Sequence, residues 1–533
     1  MPGKMMTTHM TTGFKRELHI LKSQENKTWD FIIIGGGATG LGIALDAASR
    51  GFSTLLLEQS DFAKGTSSRS TKLIHGGVRY LAQGNLQLVY TALHERGILF
   101  RNAKHLISRQ SFVIPCYNLW SRIKYYIGLK IYDWISGNQS LGPSKILRKE
   151  IVQHLLPVLS SEKIVAGIEY FDGHFDDARL ALNLAQTCSE MGAVICNYVR
   201  VTGLNKQDGK LRGVSAIDLE SGNQYNFTAT VVVNATGVFV DDILQMDLPG
   251  SKPIITASQG IHMVVDHTFL NSSSGVMIPK TSDGRVLFAL PWHHHVLIGT
   301  TDTPIQKNSI EPRAMRSEVD FIFKTLKQYW TNPPQEKDVL SVFAGLRPLT
   351  APQKHRGNTK EIPRDHKLLV AKSGLVTITG GKWTTYRKMA EATVDKAIQI
   401  FNLRQVACKT KNIKIHGYTD HQSGNHFSIY GSDESQVKQL ITNNPMLSKT
   451  LCDRLPYTQA EVVWGVRNEM ARTIEDVLAR RIRILFLDVS AAISAAPVVA
   501  QIIAKELEYD EEWQKKQVLD FISLCQGYLL PVH

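Results

Sequence analysis

The chain has 533 residues, of which 43% are hydrophobic and 20% are charged. Its length exceeds what one hydrophobic core ordinarily serves, which predicts two or three domains, and its composition excludes a fibrous or disordered chain. Lys and Arg number 61 against 48 Asp and Glu, a net charge of +13. This excess predicts an anionic partner, namely a phosphorylated substrate or an anionic membrane surface. Because no nucleic-acid-binding motif accompanies the charge, no nucleic-acid partner is expected.

Residues 1–28 form a polar N-terminal extension without the apolar core of a signal peptide. Phe14, Leu18 and Leu21 recur at helical spacing among basic residues, which indicates a short helix. That helix could lie at a membrane interface, dock on the protein or form a frayed tail. The six cysteines show neither a C-x-x-C nor a zinc spacing, which favours reduced thiols in a cytosolic compartment.

The stretch 29–58 carries the strongest signal in the chain. An apolar strand at 31–34 leads into Gly35, Gly37 and Gly40, which form G-x-G-x-x-G at the start of a predicted helix. A second strand follows and ends on Glu58, about 20 residues beyond the glycines, the spacing of a dinucleotide-binding βαβ unit. The glycines permit a tight turn, approach of a pyrophosphate and close helix packing, and Glu58 can bind ribose hydroxyls. This pattern favours FAD or NAD over NADP.

The next stretch, 61–85, is rich in Gly, Ser, Thr and basic residues. Ser67, Ser68 and Lys72 offer hydroxyls and a cation close to the expected pyrophosphate. His75 precedes two glycines, which suggests that the backbone closely approaches a flat ligand. A polar surface loop is the alternative.

Two helices are predicted next, at 86–105 and 117–135. The second interleaves Tyr, Trp, Ile and Leu with Arg122, Lys124 and Lys130. Aromatic residues beside lysines suit a membrane interface, and an amphipathic helix that faces the core suits the pattern equally well. No run of about 18 apolar residues predicts a spanning helix. The nearest run, 482–504, is interrupted by charged residues and proline and is better explained as a packed helical layer.

A second α/β pattern covers 163–235 and ends in a strand that runs into Ala235, Thr236 and Gly237. Residues 252–350 are strand-rich and predict an antiparallel sheet that covers the cofactor as a substrate lid. At 375–397 a strand meets Gly380, Gly381 and Lys382 and then a helix, a good anion site. Beyond 410 the strand signals fade and helical periodicity takes over.

These patterns predict an α/β fold in three parts. The extension is 1–28, the cofactor and substrate domain is a discontinuous unit at 29–405 with its substrate sheet at about 252–350, and 406–533 form an all-helical C-terminal domain. An antiparallel-sheet substrate domain is expected on a Rossmann-like dinucleotide-binding domain.

Several motifs together resemble the FAD-dependent glycerol-3-phosphate dehydrogenases of the bacterial, quinone-reducing type, over residues 29 to about 530. The glycine fingerprint alone is shared by many flavoproteins. The combination is far more specific, and its members are IGGGATGLGIALDAASRG, GTSSRSTKLIHGGVRYL, DDARL, VVNATG, IGTTD, GLRPL, TGGKWTTYRKMAE and VRNEMARTIEDVLARR.

The resemblance implies a fold in which a Rossmann-like FAD-binding domain carries an antiparallel-sheet substrate domain, as in flavoproteins like D-amino-acid oxidase. It also implies roles for individual residues. His75 and His262 match histidines that flank the reacting carbon, Arg79, Arg347 and Lys382 match phosphate-binding or substrate-orienting positions, and Arg347 is also expected to act in catalysis. The implied FAD contacts are Gly35, Gly37, Gly40, Glu58, Ser67, Ser68, Lys72, Ala235, Thr236, Gly237 and Gly381.

The chemistry suits these residue types. Oxidation of a secondary alcohol needs a base for the hydroxyl proton, and a histidine is largely neutral at pH 7. Arginine forks and a lysine suit a phosphate dianion, and they can also stabilise charge on the substrate oxygen. Which histidine is the base stays open at this point.

The resemblance further implies the reaction and its partners. Glycerol 3-phosphate is expected to be oxidised to dihydroxyacetone phosphate, with the electrons passing to ubiquinone or menaquinone. The enzyme is expected on the inner face of the cytoplasmic membrane, bound peripherally to an anionic surface, and a homodimer is expected. The alternatives are a glycerol-3-phosphate oxidase that uses O2 and another FAD-dependent hydroxy-acid or amine oxidoreductase.

No metal is expected. The run His293, His294 and His295 lacks spaced acidic partners and is interpreted as a loop. The mitochondrial members of the resembling family carry C-terminal EF-hands, and no D-x-[DN]-x-[DN]-G loop ends this chain.

Overall fold

A computed structural model of the chain describes residues 14–25, 27–81, 85–281, 284–349, 366–421 and 423–531, without the side chains of residues 79 and 80. The first 13 residues of the predicted extension lie outside this description.

The helices are α1 (Arg16–Ser23), α2 (Ala38–Ser49), α3 (Val78–Leu81), α4 (Leu86–Asn102), α5 (Leu119–Ser136), α6 (Lys149–Leu155), α7 (Asp177–Glu190), α8 (Val240–Asp247), α9 (Arg316–Tyr329), α10 (Tyr386–Ile400), α11 (Glu434–Asn443), α12 (Gln459–Asn468), α13 (Ile484–Leu487), α14 (Val489–Leu507) and α15 (Glu511–Cys525). The strands are β1 (Thr28–Ile34), β2 (Thr54–Leu57), β3 (Leu73–Ile74), β4 (Ile107–Cys116), β5 (Lys145–Arg148), β6 (Ala166–Phe175), β7 (Val194–Cys196), β8 (Val199–Gln207), β9 (Lys210–Asp218), β10 (Gln224–Asn234), β11 (Thr256–Asp266), β12 (Gly275–Ile278), β13 (Leu287–Trp292), β14 (His295–Gly299), β15 (Thr303–Pro304), β16 (Val339–Leu349), β17 (His366–Val370), β18 (Val376–Gly380), β19 (Thr450–Cys452) and β20 (Leu455–Thr458).

The first sheet has the strand order β17-β18-β10-β1-β2-β7, with β9 paired to β10 and β8 to β9. Strand β1 pairs in parallel with both β2 and β10, and β18 continues the parallel set. Because parallel strands are covered on both faces, their sequences are continuous apolar runs and do not alternate between apolar and polar residues. Helices α2, α7 and α10 supply part of that cover and share one core with β1 and β10. The predicted Rossmann-like domain is confirmed.

The second sheet has the order β15-β11-β14-β13-β12-β4-β6-β3, with β16 added on β11 and β5 on β6. Its strands β11 to β16 are the predicted antiparallel set. The sheet also recruits β3 to β6 from the first third of the chain, which the sequence analysis did not predict. The contact between these two sets, β12 with β4, is parallel. The prediction of a purely antiparallel sheet confined to 252–350 is therefore too narrow.

The C-terminal part is helical, as predicted, and it also contains the short hairpin β19–β20. Among the described residues, α14 alone is long and apolar enough to cross a membrane by length and composition. Half of its most apolar window is buried inside the protein, and its apolar residues share a core with β4, β6 and α12. The core helix of a soluble protein passes the same test of length and composition, so this is weak evidence for a membrane span.

The N-terminal helix α1 docks on the protein. Arg16 donates to Asp218 at 2.6 Å and to the carbonyl of Asn197 at 3.2 Å, and its side chain is buried. The helix therefore docks on the protein, with Phe14 packed against the core, whereas Leu21 is 68% exposed.

Helix α5 combines the two alternatives predicted for it. Leu129 and Tyr132 face the core, whereas Trp120 and Trp134 are 81% and 82% exposed, and Ile127 is 54% exposed. The helix therefore packs by one face and presents a second, aromatic and aliphatic face outward.

Candidate functional site

The glycine motif closes the βαβ turn as the sequence predicts. Gly35 ends β1 with a φ of +112°, and a Cβ at this position would lie 2.7 Å from the carbonyl oxygen of Ala235. A Cβ on Gly40 would overlap the carbonyl oxygen of Gly35 itself. Only a residue without a side chain therefore lets α2 start so close to β1, which brings the helix N-terminus to the strand ends.

Glu58 follows β2 and lines the groove above the turn. One carboxylate oxygen accepts from the backbone N–H of Gly36 at 2.6 Å, and the other accepts from that of Ser60 at 2.8 Å. Burial raises the pKa of Glu58, although these two backbone donors oppose the shift. The carboxylate is thus fixed at the position where the motif places the acid that binds a ribose.

The groove is a cavity of about 290 Å³ between the turn and the loops after β10 and β18. Ser67 lies on one wall, where its hydroxyl accepts from the backbone N–H of Ala38 at 2.9 Å. Six glycines and eight alanine, serine or threonine residues are among those that line the cavity, and they leave room for a dinucleotide to approach the backbone. The predicted cofactor residues that line it are Gly35, Gly37, Glu58, Ser67, Ala235, Thr236, Gly237 and Gly381.

Three predicted cofactor residues do not line the groove. Gly40 lies within α2, close to the backbone of Gly35. Lys72 and Ser68 are buried and line neither this groove nor the adjoining cavity. The ammonium of Lys72 lies 2.7 Å from Asp177 and 2.8 Å from the carbonyl of Ser68. Burial lowers the pKa of Lys72 to about 7, while Asp177 opposes the shift. The placement corrects the expectation of a pyrophosphate contact for Lys72, because the carboxylate of Asp177 already holds it, and Ser68 lies outside the groove.

A second cavity, also about 290 Å³, adjoins the groove. The residues common to both linings are Thr66, Pro348, Gly381, Lys382 and Trp383. The groove and the cavity therefore meet at the loop after β18, between the two sheets. A small substrate in the second cavity would lie next to a cofactor in the groove.

Cations line this second cavity. Arg347, on β16, donates to the hydroxyl of Thr300 at 2.9 Å and lies 3.6 Å from Asp302. Lys382 lies at the junction with the groove. Arg79 is in α3, next to the lining residue Val78, and its side chain lies outside the described residues. The fold thus brings together Arg347 and Lys382, which are 35 residues apart in sequence.

Both predicted histidines line the same cavity. His262, on β11, is buried, stacks on Phe343 and has its Nε2 2.9 Å from the hydroxyl of Thr71. Burial, together with the nearby cations Lys72 and Arg347, holds the pKa of His262 well below its ordinary value. His75 follows β3 and is half-buried. A neutral imidazole beside cations can accept a proton from a bound alcohol.

Comparison with known proteins places this geometry in a family. Residues 30–387 match the model of the FAD dependent oxidoreductases, and residues 375–514 match that of the C-terminal domain of alpha-glycerophosphate oxidase. Mitochondrial glycerol-3-phosphate dehydrogenase of Mesocricetus auratus is 37% identical over 93% of this chain and 73% of its own length. The chain belongs to the FAD-dependent glycerol-3-phosphate dehydrogenase family. The enzyme of the same name from Schizosaccharomyces pombe is also 37% identical, over 93% of this chain and 87% of its own length.

Solved structures agree with this family. The glycerol-3-phosphate dehydrogenase of Bacillus halodurans, complexed with FAD, superposes with a TM-score of 0.80 at 29% identity, over 97% of this chain and 98% of its own. L-alpha-glycerophosphate oxidase of Mycoplasma pneumoniae, with FAD bound, gives a TM-score of 0.55 at 20% identity, over 72% of this chain and 97% of its own, and shares the fold. FAD is the cofactor of this family, and the glycine-lined groove fits it.

Two further arginines line the second cavity and were missed by sequence reasoning. Arg69 lies beside Glu311 at 2.6 Å, and Arg285 lies over the ring of Phe321. Arg285 lies in the strand-rich region 252–350, two residues before β13, so its position beside a buried strand was a signal that the sequence offered. Arg69 lies within the predicted loop and offered no separate signal.

Sequence reasoning also missed the role of the C-terminal arginines. Arg480 and Arg481 both donate to the buried carboxylate of Asp61, which follows Glu58 by three residues. Arg483 lies 3.4 Å from Asp177, the partner of Lys72. Arg480 and Arg481 of the motif VRNEMARTIEDVLARR therefore hold the loop that follows β2 (the cofactor loop) through Asp61, and neither arginine lines the groove or the second cavity. In sequence these arginines look like the exposed face of a helix.

The triple histidine proves to be a turn. His293 and His294 have φ values of +46° and +59° and join β13 to β14. His293 lies 3.4 Å from Asp176. Among the described residues, no group of three or more metal-binding side chains comes together.

Proposed function

We propose that the chain oxidises sn-glycerol 3-phosphate to dihydroxyacetone phosphate with bound FAD and delivers the electrons to a membrane quinone, ubiquinone or menaquinone. We infer the substrate class from the second cavity, which opens onto the cofactor groove and is lined by His75, His262, Arg347 and Lys382. The names of the relatives support the choice of phosphate ester.

Each side chain has a task in this proposal. Arg347 offers a planar fork and Lys382 a point charge for the phosphate dianion. One of the two histidines accepts the proton of the C2 hydroxyl, and the low pKa of His262 keeps it neutral and able to do so. FAD, when bound, supplies the acceptor for the hydride that leaves C2. The cations also stabilise the charge that develops on the substrate oxygen.

The test is anaerobic mixing of the purified flavoprotein with glycerol 3-phosphate while the visible flavin absorbance is followed. Glycerol and lactate are run in parallel. Bleaching by the phosphate ester alone supports the proposed substrate. Bleaching by lactate, or by an amine substrate, would instead favour another hydroxy-acid or amine oxidoreductase of this fold.

The electron acceptor needs a separate measurement. The match of the C-terminal part to a glycerophosphate oxidase domain favours O2 as the competing acceptor. In air-saturated buffer without quinone, hydrogen peroxide formed in equal amount to dihydroxyacetone phosphate would identify an oxidase. Turnover that depends on a short-chain ubiquinone or menaquinone, with little peroxide, supports the dehydrogenase.

We further propose that α5 docks the enzyme on an anionic membrane, at the inner face of the cytoplasmic membrane. Its outward face presents Trp120, Ile127 and Trp134, next to the exposed side chain of Lys124. Exposed tryptophans beside basic residues suit the level of the lipid headgroups. The net charge of +13 adds a long-range attraction to anionic lipid.

Co-sedimentation with vesicles that contain phosphatidylserine or phosphatidylglycerol tests this docking at low salt. The double substitution W120S/W134S should lower the bound fraction. The matched control is L519S, because Leu519 is 68% exposed on α15, a different helix. Equal binding by the two variants and the unmodified protein would refute docking through α5. Fractionation of the producing cells tests the proposed location.

A further inference from the structure

The peptide group between His75 and Gly76 is hydrogen-bonded at both ends. The N–H of Gly76 donates to the hydroxyl of Tyr132 at 2.8 Å, with Asp172 a longer 3.3 Å away. The carbonyl of His75 accepts from the hydroxyl of Thr384 at 3.4 Å. Because the peptide group is one rigid plane, bonds to its N–H and to its C=O together limit its rotation.

Tyr132 is itself fixed by a buried charged cluster. Its hydroxyl donates to Asp172 at 2.8 Å, and Arg96 donates to the same carboxylate at 2.6 Å. All three side chains are buried. Burial, with the adjacent Asp172 as a second cause, raises the pKa of Tyr132 well above its ordinary value, so the group remains a hydroxyl. Its single proton goes to Asp172, which leaves its oxygen to accept from Gly76.

Packing explains the glycine at position 76. A Cβ there would overlap Leu93 of α4 and lie 2.5 Å from the Tyr132 hydroxyl of α5. The close approach expected from the sequence for this glycine pair is therefore an approach to the protein at Gly76, not to a ligand. The neighbouring residues His75 and Gly77 line the substrate cavity.

We propose that Tyr132 is a positioning residue, which fixes the His75–Gly76 peptide and thereby the direction in which the His75 side chain faces the substrate. Asp172 and Arg96 hold Tyr132 in place at the N–H end of the peptide, and Thr384 bonds the carbonyl end. The inference rests on the proposed function, because it assigns His75 to the substrate of that reaction.

The substitution Y132F removes the hydroxyl and retains the ring. Because a misplaced reacting group loses rate rather than affinity, flavin reduction at saturating glycerol 3-phosphate should slow by about tenfold, with KM changed by less than about threefold. The FAD content should match the unmodified protein. Hydrogen–deuterium exchange of the backbone segment that contains Gly76 should accelerate, because its N–H loses its shorter bond.

The matched control is Y430F. Tyr430 is also buried, and its hydroxyl donates to a buried carboxylate, that of Glu461, at 3.2 Å in the C-terminal part. This variant should keep the reduction rate and the exchange of the Gly76 segment. A second variant, T384V, loosens the other end of the peptide. It should slow reduction by about threefold, because the bond it removes is long.

The proposal is overturned if Y132F and T384V both reduce the flavin at the rate of the unmodified protein. It is also overturned if Y132F and Y430F lose FAD to the same extent and the slower reduction by Y132F is fully explained by that loss. If Y132F does not fold, T384V decides by the same two readouts. Failure of the unmodified protein to react with glycerol 3-phosphate would refute the proposed function instead. The exchange of the Gly76 segment would still decide whether Tyr132 holds this peptide.

Discussion

The hydroxyl of Thr71 lies 2.9 Å from Nε2 of His262, and the other ring nitrogen of this histidine is buried without a hydrogen-bond partner among the described residues. A general base needs a free lone pair on the nitrogen that takes the proton. Because a threonine hydroxyl can accept from a ring N–H or donate to a bare ring nitrogen, Thr71 can hold the His262 ring in either tautomer. If His262 is that base, Thr71 fixes the orientation of its ring for the proton transfer.

The first prediction follows from this pair. The substitution T71V removes the hydroxyl and retains the shape, so the His262 ring loses the hydrogen bond that orients it and kcat should fall by about tenfold. T71S keeps a hydroxyl and should retain most of the activity. Steady-state kinetics with glycerol 3-phosphate measures both variants. If T71V retains full kcat while the substitution H75N abolishes it, His75 rather than His262 is the base.

The second prediction separates the two roles expected of Arg347. Its guanidinium lies between Thr300 and Asp302 and faces the substrate cavity. R347K keeps the charge but loses the two-pronged geometry that suits phosphate, so KM should rise by about tenfold with kcat little changed. R316K, at a surface arginine, is the control. A fall in kcat at constant KM would show that Arg347 acts on the reacting oxygen instead of the phosphate.

Much of this arrangement could be predicted from local sequence. The turn at Gly35, the acid at Glu58 and the loop at Lys382 are each fixed within a few residues by the order strand, glycine, helix, and the structure brings all three to the groove. Local pattern was misleading at Lys72. A lysine among serines near a nucleotide motif resembles a phosphate ligand, and its actual partner, Asp177, lies 105 residues away.

The strands β4 and β6 went unpredicted for a related reason. They pair with each other over their full lengths, and β12 joins β4 from far along the chain. Their stability therefore comes from contacts of high sequence separation rather than from a clear alternation of apolar and polar residues. The burial of Arg480 and Arg481 could not be predicted for the same reason, because it depends on Asp61, which lies more than 400 residues earlier in the sequence.

The third prediction concerns that buried cluster. Asp61 is fully buried and accepts from Arg480 at 2.5 Å and from Arg481 at 2.9 Å. D61N removes the negative charge and leaves two buried guanidinium groups less compensated, so the free energy of unfolding should fall by about 3 kcal/mol. The midpoint of urea denaturation, followed by tryptophan fluorescence, measures the loss.

The control for this variant is E506Q at the surface pair of Glu506 with Arg467, where the arginine is half exposed. A surface pair should contribute less than about 1 kcal/mol. Equal denaturation midpoints for D61N and E506Q would mean that the cluster does not hold the C-terminal part against the cofactor loop.

The fourth prediction is a pH dependence of stability that centres on His416. Its ring lies between Glu190 of α7 at 2.5 Å and Asp433, just before α11, at 2.7 Å. Burial opposes the charge, but the two carboxylates prevail and raise the pKa of His416 to about 10. The unfolded chain should release this proton near pH 6.5, whereas the folded chain retains it until about pH 10.

The folded state therefore binds more protons between these two pKa values, and stability from this site falls as pH rises through the window. It is fully present below pH 6.5 and lost by about pH 10. H416Q should lower the melting temperature most at pH 6, and the difference from the unmodified protein should shrink steadily towards pH 10. A difference that stays constant across this range would show that His416 joins the two carboxylates as a neutral hydrogen-bonding group rather than as a cation.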